Sequence, residues 1–402
     1  MHYQTIREII HINTDEYYAS VARIKNPAIR SRPVVVGYLS SRGSVVGASY
    51  EARDQGVRAG MMTVQARRLC PDAAFVQVDW ELFRRVSRAV FTLVDRYSPV
   101  VEAVRLDEGF VDYTGCAALF GHARDLAWRL QKEIAETLRL RISLGVGANK
   151  LVSQIASRVA KRSGLIDVPP GEEERFLAPY PVGWLPGVGP AWEQTLRALG
   201  VRTIGTLAAV PVPLVEHVFG SFGATLAARA HGVDNRPVLP GCRGAGGIES
   251  TATFREDLLC ARRLDAQLYA LAEDLGRTLR RRGRGAKRLR LQLIYTDGYS
   301  IARAAYPPRI TALDRELYLA AAPLLERALR RRVKVRMLRL SVPSALPFRE
   351  QGDLFHPARG RLAALYQACD TIREKYGGGT ALRFGKTVTL PASDNECDRR
   401  DP

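Results

Sequence analysis

The chain has 402 residues, with 60 Lys and Arg set against 41 Asp and Glu, for a formal net charge of +19. That length exceeds what one hydrophobic core supports, so several domains are expected, and the charge points to nucleic acid or an anionic surface as partner. The six cysteines show no CxxC spacing of a zinc site and read as thiols in a reducing compartment. No N-terminal apolar run is long enough for a signal peptide or a membrane span, so a cytoplasmic protein without a membrane partner is expected.

In chain order, Ile9 to Ile12 reads as a short buried strand, followed by the polar cluster NTDEYY. The stretch 33–53, PVVVGYLSSRGSVVGASYEAR, reads as two strands around a Gly and Ser turn that lead into a helix. ELFRRVSRAVFTLVDRY places Leu82, Val86, Val90, Leu93 and Val94 on one helical face. VVEAVRL and GFVDYT read as a hairpin with Asp107 and Glu108 at its bend. A helix over Ala117 to Leu138, a strand near Ile142 to Val146 and an amphipathic helix in GANKLVSQIASRVAKRSG follow.

VPPG, 168–171, marks a domain boundary, and PGVG then sits between two helical segments with its amides exposed. RPVLPGCRGAGG marks a second boundary. Beyond it, IESTATF, a helix over Arg262 to Arg282, the strands KRLRLQLIYT and IARAAYP, a helix over Leu313 to Arg331 and VKVRMLRLSV give a βαββαβ order. The remainder holds EQGDLF, one helical segment and a polar end, SDNECDRRDP, that reads as disordered.

Phosphoryl transfer at a nucleotide uses two divalent ions roughly 4 Å apart, held by carboxylates from separate strand ends. Asp107, Glu108 and the residues after Ile12 have that layout, although an adjacent Asp and Glu also suit a solvated bend. The set HINTDEYYASV, GSVVGASYEARDQGVRAG, LDEGFVDYTG, GVGANKLVSQIASRVAKRSG and LPGVG resembles, over about Ile9 to Gly377, the Y-family or translesion DNA polymerases, and the DNA polymerase IV branch most closely. The resemblance implies an α+β multi-domain right hand. Its parts would be a palm (1–25 and 78–167), fingers (26–77), a helical thumb with a helix-hairpin-helix (168–236), a βαββαβ little finger (245–345) and a tail (346–402).

It also implies the site. Asp107 and Glu108 match the carboxylates that hold two Mg²⁺, with Mn²⁺ as an alternative, and Thr14 matches the residue that lends a backbone carbonyl. Tyr18, beside Tyr17, matches the steric gate that favours deoxynucleotides. Tyr50, Arg53 and Lys161, with Ala59 nearby, match the residues that bind the triphosphate, where fixed cations and donors are needed. Gly187, Val188 and Gly189 match the turn that offers amides to DNA phosphates. Arg280, Arg282, Arg284, Arg330 and Arg332 form the basic patches expected to grip the duplex through phosphate. EQGDLF resembles a sliding-clamp peptide anchored by Gln351, Leu354 and Phe355. Primer-template DNA, a dNTP and the clamp are the implied partners of a monomer.

Asn13 departs from the pattern, because family members usually carry there an Asp that bridges both metals. A neutral amide cannot supply that charge, and one such group is worth ~3 kcal/mol, roughly a hundredfold in rate. If the strand continued, Asp15 would share the face of Asn13 and could restore part of the charge. Three readings stay open. They are a competent or weakened translesion polymerase, a non-catalytic relative that binds DNA and the clamp as an accessory factor, and an RNA-binding or other metal-dependent enzyme, which the aromatic gate and the helix-hairpin-helix disfavour.

Overall fold

The computed structural model describes residues 7–40, 42–240, 248–348 and 357–376. The chain divides into two compact units, Met1–Ala245 and Gly246–Pro402. In the first, β1 (Ile9–Thr14) ends abruptly because Glu16 takes a left-handed backbone, φ 48°, which turns the chain into α1 (Tyr17–Lys25). A small lobe follows, built from β2 (Val34–Gly37), β3 (Val45–Ala48), α2 (Tyr50–Asp54), α3 (Thr63–Leu69) and β4 (Ala74–Gln77). Its sheet has the order β3-β2-β4, antiparallel then parallel, over a core that includes Val35, Val45, Ala52 and Val57.

Asp79 caps α4 (Trp80–Val94) by accepting the Leu82 amide at 3.1 Å. Next come β5 (Val101–Ala103), β6 (Glu108–Asp112), α5 (Ala117–Phe120), α6 (Ala123–Leu138), β7 (Ile142–Gly147), α7 (Lys150–Val159) and β8 (Leu165–Asp167). The strands form a sheet of order β5-β6-β1-β7-β8. Alternation along β1 sends Ile10 and Ile12 into the main core with α4 and α6, and leaves His11 and Asn13 on the opposite face. His11 there meets Ser157 of α7, Nδ1 to Oγ 2.6 Å. Burial and the nearby Lys161 and Lys150 charges push the His11 imidazole down to about 3, so the ring is neutral.

Helices α8 (Glu173–Leu177), α9 (Pro190–Ala198), α10 (Ile204–Ala208), α11 (Val212–Phe219) and α12 (Ser221–Ala230) share one core with Leu151, Val152 and Ile155 of α7. After α12 the chain runs back over the five-stranded sheet, where Val238 packs on Ile9 and Phe110. A buried pair, Lys150 Nζ to Glu102 Oε2 at 2.7 Å, lies beneath it, and the Leu239 amide donates to the same oxygen at 2.8 Å.

The second unit contains β9 (Ile248–Leu258), α13 (Ala261–Arg281), β10 (Arg284–Ala286), β11 (Leu289–Tyr295), β12 (Ser300–Ala305), α14 (Asp314–Leu329), β13 (Val335–Val342), β14 (Ala345–Pro347) and α15 (Pro357–Tyr376). Its main sheet, β12-β11-β13-β9, is antiparallel throughout, and the expected βαββαβ order is present. Leu289, Leu291, Leu293 and Tyr295 alternate into a core shared with α13 and α14. Among the described residues no helix is long and apolar enough to cross a membrane.

Three expectations are corrected. The single helix over 117–138 is two, because Gly121, φ 85°, interrupts it. The strand expected in IESTATF runs on to Leu258 through a register irregularity opposite Val335 and Met337. Cys260, read as a thiol, is disulfide-bonded, whereas Cys70, Cys116 and Cys369 are free.

Candidate active site

The centre is set by strand register. β1 and β6 are antiparallel, with Asn13 directly opposite Glu108, and Asp107 immediately precedes β6. The Thr14 amide donates to the Asp107 carbonyl at 2.7 Å, which ties the two strand ends together. Side chains across such a pair stand about 5 Å apart at Cβ, and Asn13 Nδ2 lies 3.5 Å from Glu108 Oε2. Burial raises the pKa of both Asp107 and Glu108, against the lowering pull of Arg105, whose Nε lies 3.4 Å from Glu108 Oε1. Two adjacent carboxylates held reluctant to ionise are what a bound cation relieves.

Asp107, Glu108 and the amide oxygen of Asn13 are hard oxygen donors suited to a divalent ion. The residues present therefore fit a metal held by a carboxylate pair. Among the described residues no group of three His, Cys, Asp or Glu side chains is arranged around one metal position. Asn13 stands beside the pair with a neutral amide, and the Lys161 ammonium donates to its Oδ1.

Asp15 does not extend the row. β1 ends at Thr14, and the buried Asp15 carboxylate faces other donors: the Tyr50 hydroxyl at 2.9 Å on Oδ1, and the Ser143 hydroxyl and Ser163 amide, each at 2.7 Å, on Oδ2. Lys161 Nζ is 3.2 Å from Oδ1. The buried Glu16 accepts the Tyr50 amide, and its carboxyl is raised by burial and by Glu51.

Tyr18 is half-buried at the side of this cluster. Its ring packs edge-on against Tyr17, Trp80 and Phe83, with the Phe83 centroid 5.0 Å away. Burial and the Asp107 charge push its hydroxyl up to about 12. Gly47 of β3 lies so close that a Cβ there would stand 2.7 Å from Tyr18 Cδ2. Arg53 is exposed; its Nε donates to the Ala48 carbonyl at 2.8 Å and its guanidinium lies 5.4 Å from the Tyr50 ring centroid. Ala59 is exposed on the same lobe.

Two expectations fail on geometry. Tyr17 is core: it is 2% exposed and its hydroxyl donates to the Phe83 carbonyl, so it does not line the site. Arg280 is equally committed. Its side chain is 10% exposed and donates to Asp314, to Asp370 at 2.8 Å and to the Ala312 carbonyl at 2.7 Å, which leaves no fork for DNA phosphate. Arg282, Arg330 and Arg332 are exposed, and Arg284 is half-buried with Nη1 3.4 Å from the Ala345 carbonyl. Gly187, φ 91°, sits in the turn before α9, where its missing Cβ makes room for Phe222; Val188 and Gly189 complete the turn. Gln351, Leu354 and Phe355 lie outside the described residues.

The sequence reading missed Glu16, Ser143, Ser163 and Arg162, whose guanidinium lies 4.6 Å from the Tyr50 ring centroid. The DE dipeptide at 15–16 was the one available signal.

A carboxylate pair at one end of a mostly antiparallel sheet, an aromatic cluster from α1 and α4, a small lobe, a helical cluster with a Gly turn and a separate βαββαβ unit are the parts of a right-hand nucleotide polymerase. Residues 12–158 match the impB/mucB/samB family and residues 247–374 its C-terminal domain. The chain is 33% identical over 389 residues to a DNA polymerase IV of Dehalococcoides mccartyi (strain CBDB1), covering 96% of this chain and 99% of that protein. It is 37% identical over 303 residues to the DNA polymerase IV of Xanthomonas campestris pv. campestris (strain 8004), covering 75% and 84%.

Among solved structures, the Y-family DNA polymerase chimera Dbh-Dpo4(243-245)-Dbh aligns with a TM-score of 0.74 at 23% identity, over 83% of this chain and 98% of that one. The insertion ternary complex of Dbh DNA polymerase aligns at 0.63 and 22% identity, over 85% and 100%. The chain belongs to the impB/mucB/samB family, the Y-family of DNA polymerases, and to its DNA polymerase IV-like branch. Membership implies a divalent metal cofactor.

Proposed function

We propose that the chain is a template-directed, low-fidelity DNA polymerase of translesion synthesis. The primer 3′-hydroxyl oxygen forms a bond to the α-phosphorus of a dNTP, pyrophosphate leaves, and the hydroxyl proton passes to solvent. The observation that carries this reading is the Asn13–Glu108 register, which brings the Asp107–Glu108 pair up against Asn13, to whose Oδ1 Lys161 donates.

Divalent ions, Mg²⁺ with Mn²⁺ as the alternative, would supply polarisation of the phosphoryl oxygens and activation of the hydroxyl. Asp107 and Glu108 would hold them, with the Thr14 carbonyl and the Asn13 amide oxygen as weaker ligands. Lys161, Arg53 and Tyr50 bind the triphosphate, and Tyr18 stands where a ribose 2′-hydroxyl would project. The proposed palm is 1–25 with 78–167, the fingers 26–77, the thumb 168–236, the little finger 245–345 and the tail 346–402. Gly187 to Gly189 present amides to DNA phosphates, and Arg282, Arg284, Arg330 and Arg332 neutralise others. The sliding clamp is a partner through Gln351, Leu354 and Phe355, and the protein acts as a cytoplasmic monomer.

One observation favours a second reading, a weak or silent relative that binds primer-template DNA and the clamp as an accessory factor: the third carboxylate is absent and an ammonium sits on Asn13. Primer extension with Mg²⁺ and with Mn²⁺, on plain and lesion-bearing templates, separates the two. The native chain is expected to extend primers, Asn13→Asp to do so about a hundredfold faster, and Asp107→Ala to be inactive. If the native chain equals Asp107→Ala under every condition while Asn13→Asp extends, the accessory reading stands instead.

A further inference from the structure

Asp15 and Glu16, neither of which the proposed reaction uses directly, converge on one residue of the small lobe. Tyr50 gives its hydroxyl to Asp15 Oδ1 at 2.9 Å and its backbone amide to Glu16 Oε1. Both carboxylates are nearly inaccessible, at 2% and 4% exposure. A carboxylate offers about four acceptor positions. Those of Asp15 are taken by Tyr50, Ser143, Ser163 and Lys161, so a metal ion could bind Asp15 only by expelling a donor. Glu16 is likewise held between Tyr50 and Arg23, whose Nη1 lies 3.4 Å from Oε2.

We propose that Asp15 and Glu16 are positioning residues that preassemble the triphosphate-binding donors Tyr50 and Lys161, and that Asp15 is not a metal ligand. The proposal rests on the polymerase reading. Lys161 carries three N–H donors; Asn13 takes one and Asp15 a second, which leaves one aimed by both for a phosphate oxygen. Tyr50 has a single O–H, which Asp15 holds in place until a phosphate oxygen takes it over as acceptor. Glu16 fixes the backbone beneath that ring, so β1 and α2 meet at a set distance. A site already assembled loses less freedom when a polyanion arrives.

The test is equilibrium dCTP binding opposite a template dG, with a primer lacking its 3′-hydroxyl and Ca²⁺ in place of Mg²⁺, so that no turnover occurs. Asp15→Asn, which keeps shape and removes charge, is expected to weaken dCTP about tenfold, the scale of one charge-assisted hydrogen bond, with primer-template affinity unchanged. Asp15→Asn with Tyr50→Phe is expected to be no weaker than Asp15→Asn alone within about twofold, because both remove one arrangement. Glu16→Gln weakens dCTP in the same direction, and carries the test together with Tyr50→Phe if Asp15→Asn does not fold. The proposal is overturned if dCTP affinity stays within twofold in these variants, or if the Asp15 and Tyr50 effects multiply. It is also overturned if Asp15→Asn shifts the Tb³⁺ luminescence titration of the chain while dCTP binding at saturating metal is unchanged, since Asp15 would then be a ligand. A native chain that binds no dCTP defeats the polymerase reading itself, and this proposal with it.

Discussion

Replacing Lys150 with methionine leaves Glu102 buried without its counter-ion. In the native fold the ammonium lies 2.7 Å from Glu102 Oε2, 3.4 Å from the Pro237 carbonyl and 4.5 Å from the Phe110 ring centroid, and both charged side chains are 7% exposed. The Leu239 amide, 2.8 Å from the same oxygen, is the neutral donor that remains to Glu102. Removing one member of a buried pair costs about 3–5 kcal/mol. In a unit of this size each kcal/mol moves the midpoint by about 2–4 °C, so a fall of roughly 6–20 °C is expected in the transition of the first unit. Thermal unfolding followed by near-ultraviolet circular dichroism measures it. Lys150→Met with Glu102→Leu should recover much of the loss, because apolar groups of similar volume replace a buried ion pair at little cost. A shift under about 2 °C for the single variant, or a double variant that falls as far as the single, refutes the account.

Three further outcomes follow from contacts already described. Gly47→Ala drives a methyl into Tyr18 and displaces the ring, so discrimination between dNTP and rNTP, read as a ratio of kcat/KM values, should fall toward that of Tyr18→Ala; unchanged discrimination would detach the ring from sugar selection. Arg280→Ala should lower the melting point of the second unit and leave the salt dependence of DNA binding alone, whereas Arg330→Ala and Arg332→Ala should each reduce the slope of log affinity against log salt by about 1. Asp314, beside Arg280, Asp370 and Glu273, is pushed up to about 6 by burial, above its ordinary 3.8. The folded chain binds that proton more tightly than the unfolded chain, so this residue costs stability as pH rises from about 4 to about 6, by up to about 3 kcal/mol. Asp314→Asn should flatten that slope in pH-resolved urea titrations, and an unaltered slope would clear Asp314 of the effect.

Local pattern carried the fold a long way. Alternation in β1, the hairpin around Asp107 and Glu108 and the βαββαβ order are period-2 and period-3.6 signals, and they survive because each strand or helix buries one face. What failed depended on partners distant in sequence or on a single backbone angle. Asp15 looked like a second ligand only while β1 was assumed to continue, and the left-handed Glu16 ends it. Tyr17 and Tyr18 are chemically alike, but neighbours on a helix point about 100° apart, so one enters the core and the other faces the site. Arg280 sits in a run of cations that reads as surface, yet its place on α13 turns it toward Asp314 and toward Asp370 of α15. Lys161 is brought to Asn13 by α7 packing against β1, which no local pattern reports.

That helix joins two ends of the first unit. Lys150, at its start, fixes the chain leaving the helical cluster; Lys161, just beyond its end, touches Asn13. α7 is thus a rigid strut about 15 Å long, jammed by Leu151, Val152 and Ile155 against its neighbours. The segment 237–239 and the Asn13 amide are therefore held from opposite ends of one helix, so a substitution that loosens α7 should disturb both contacts at once.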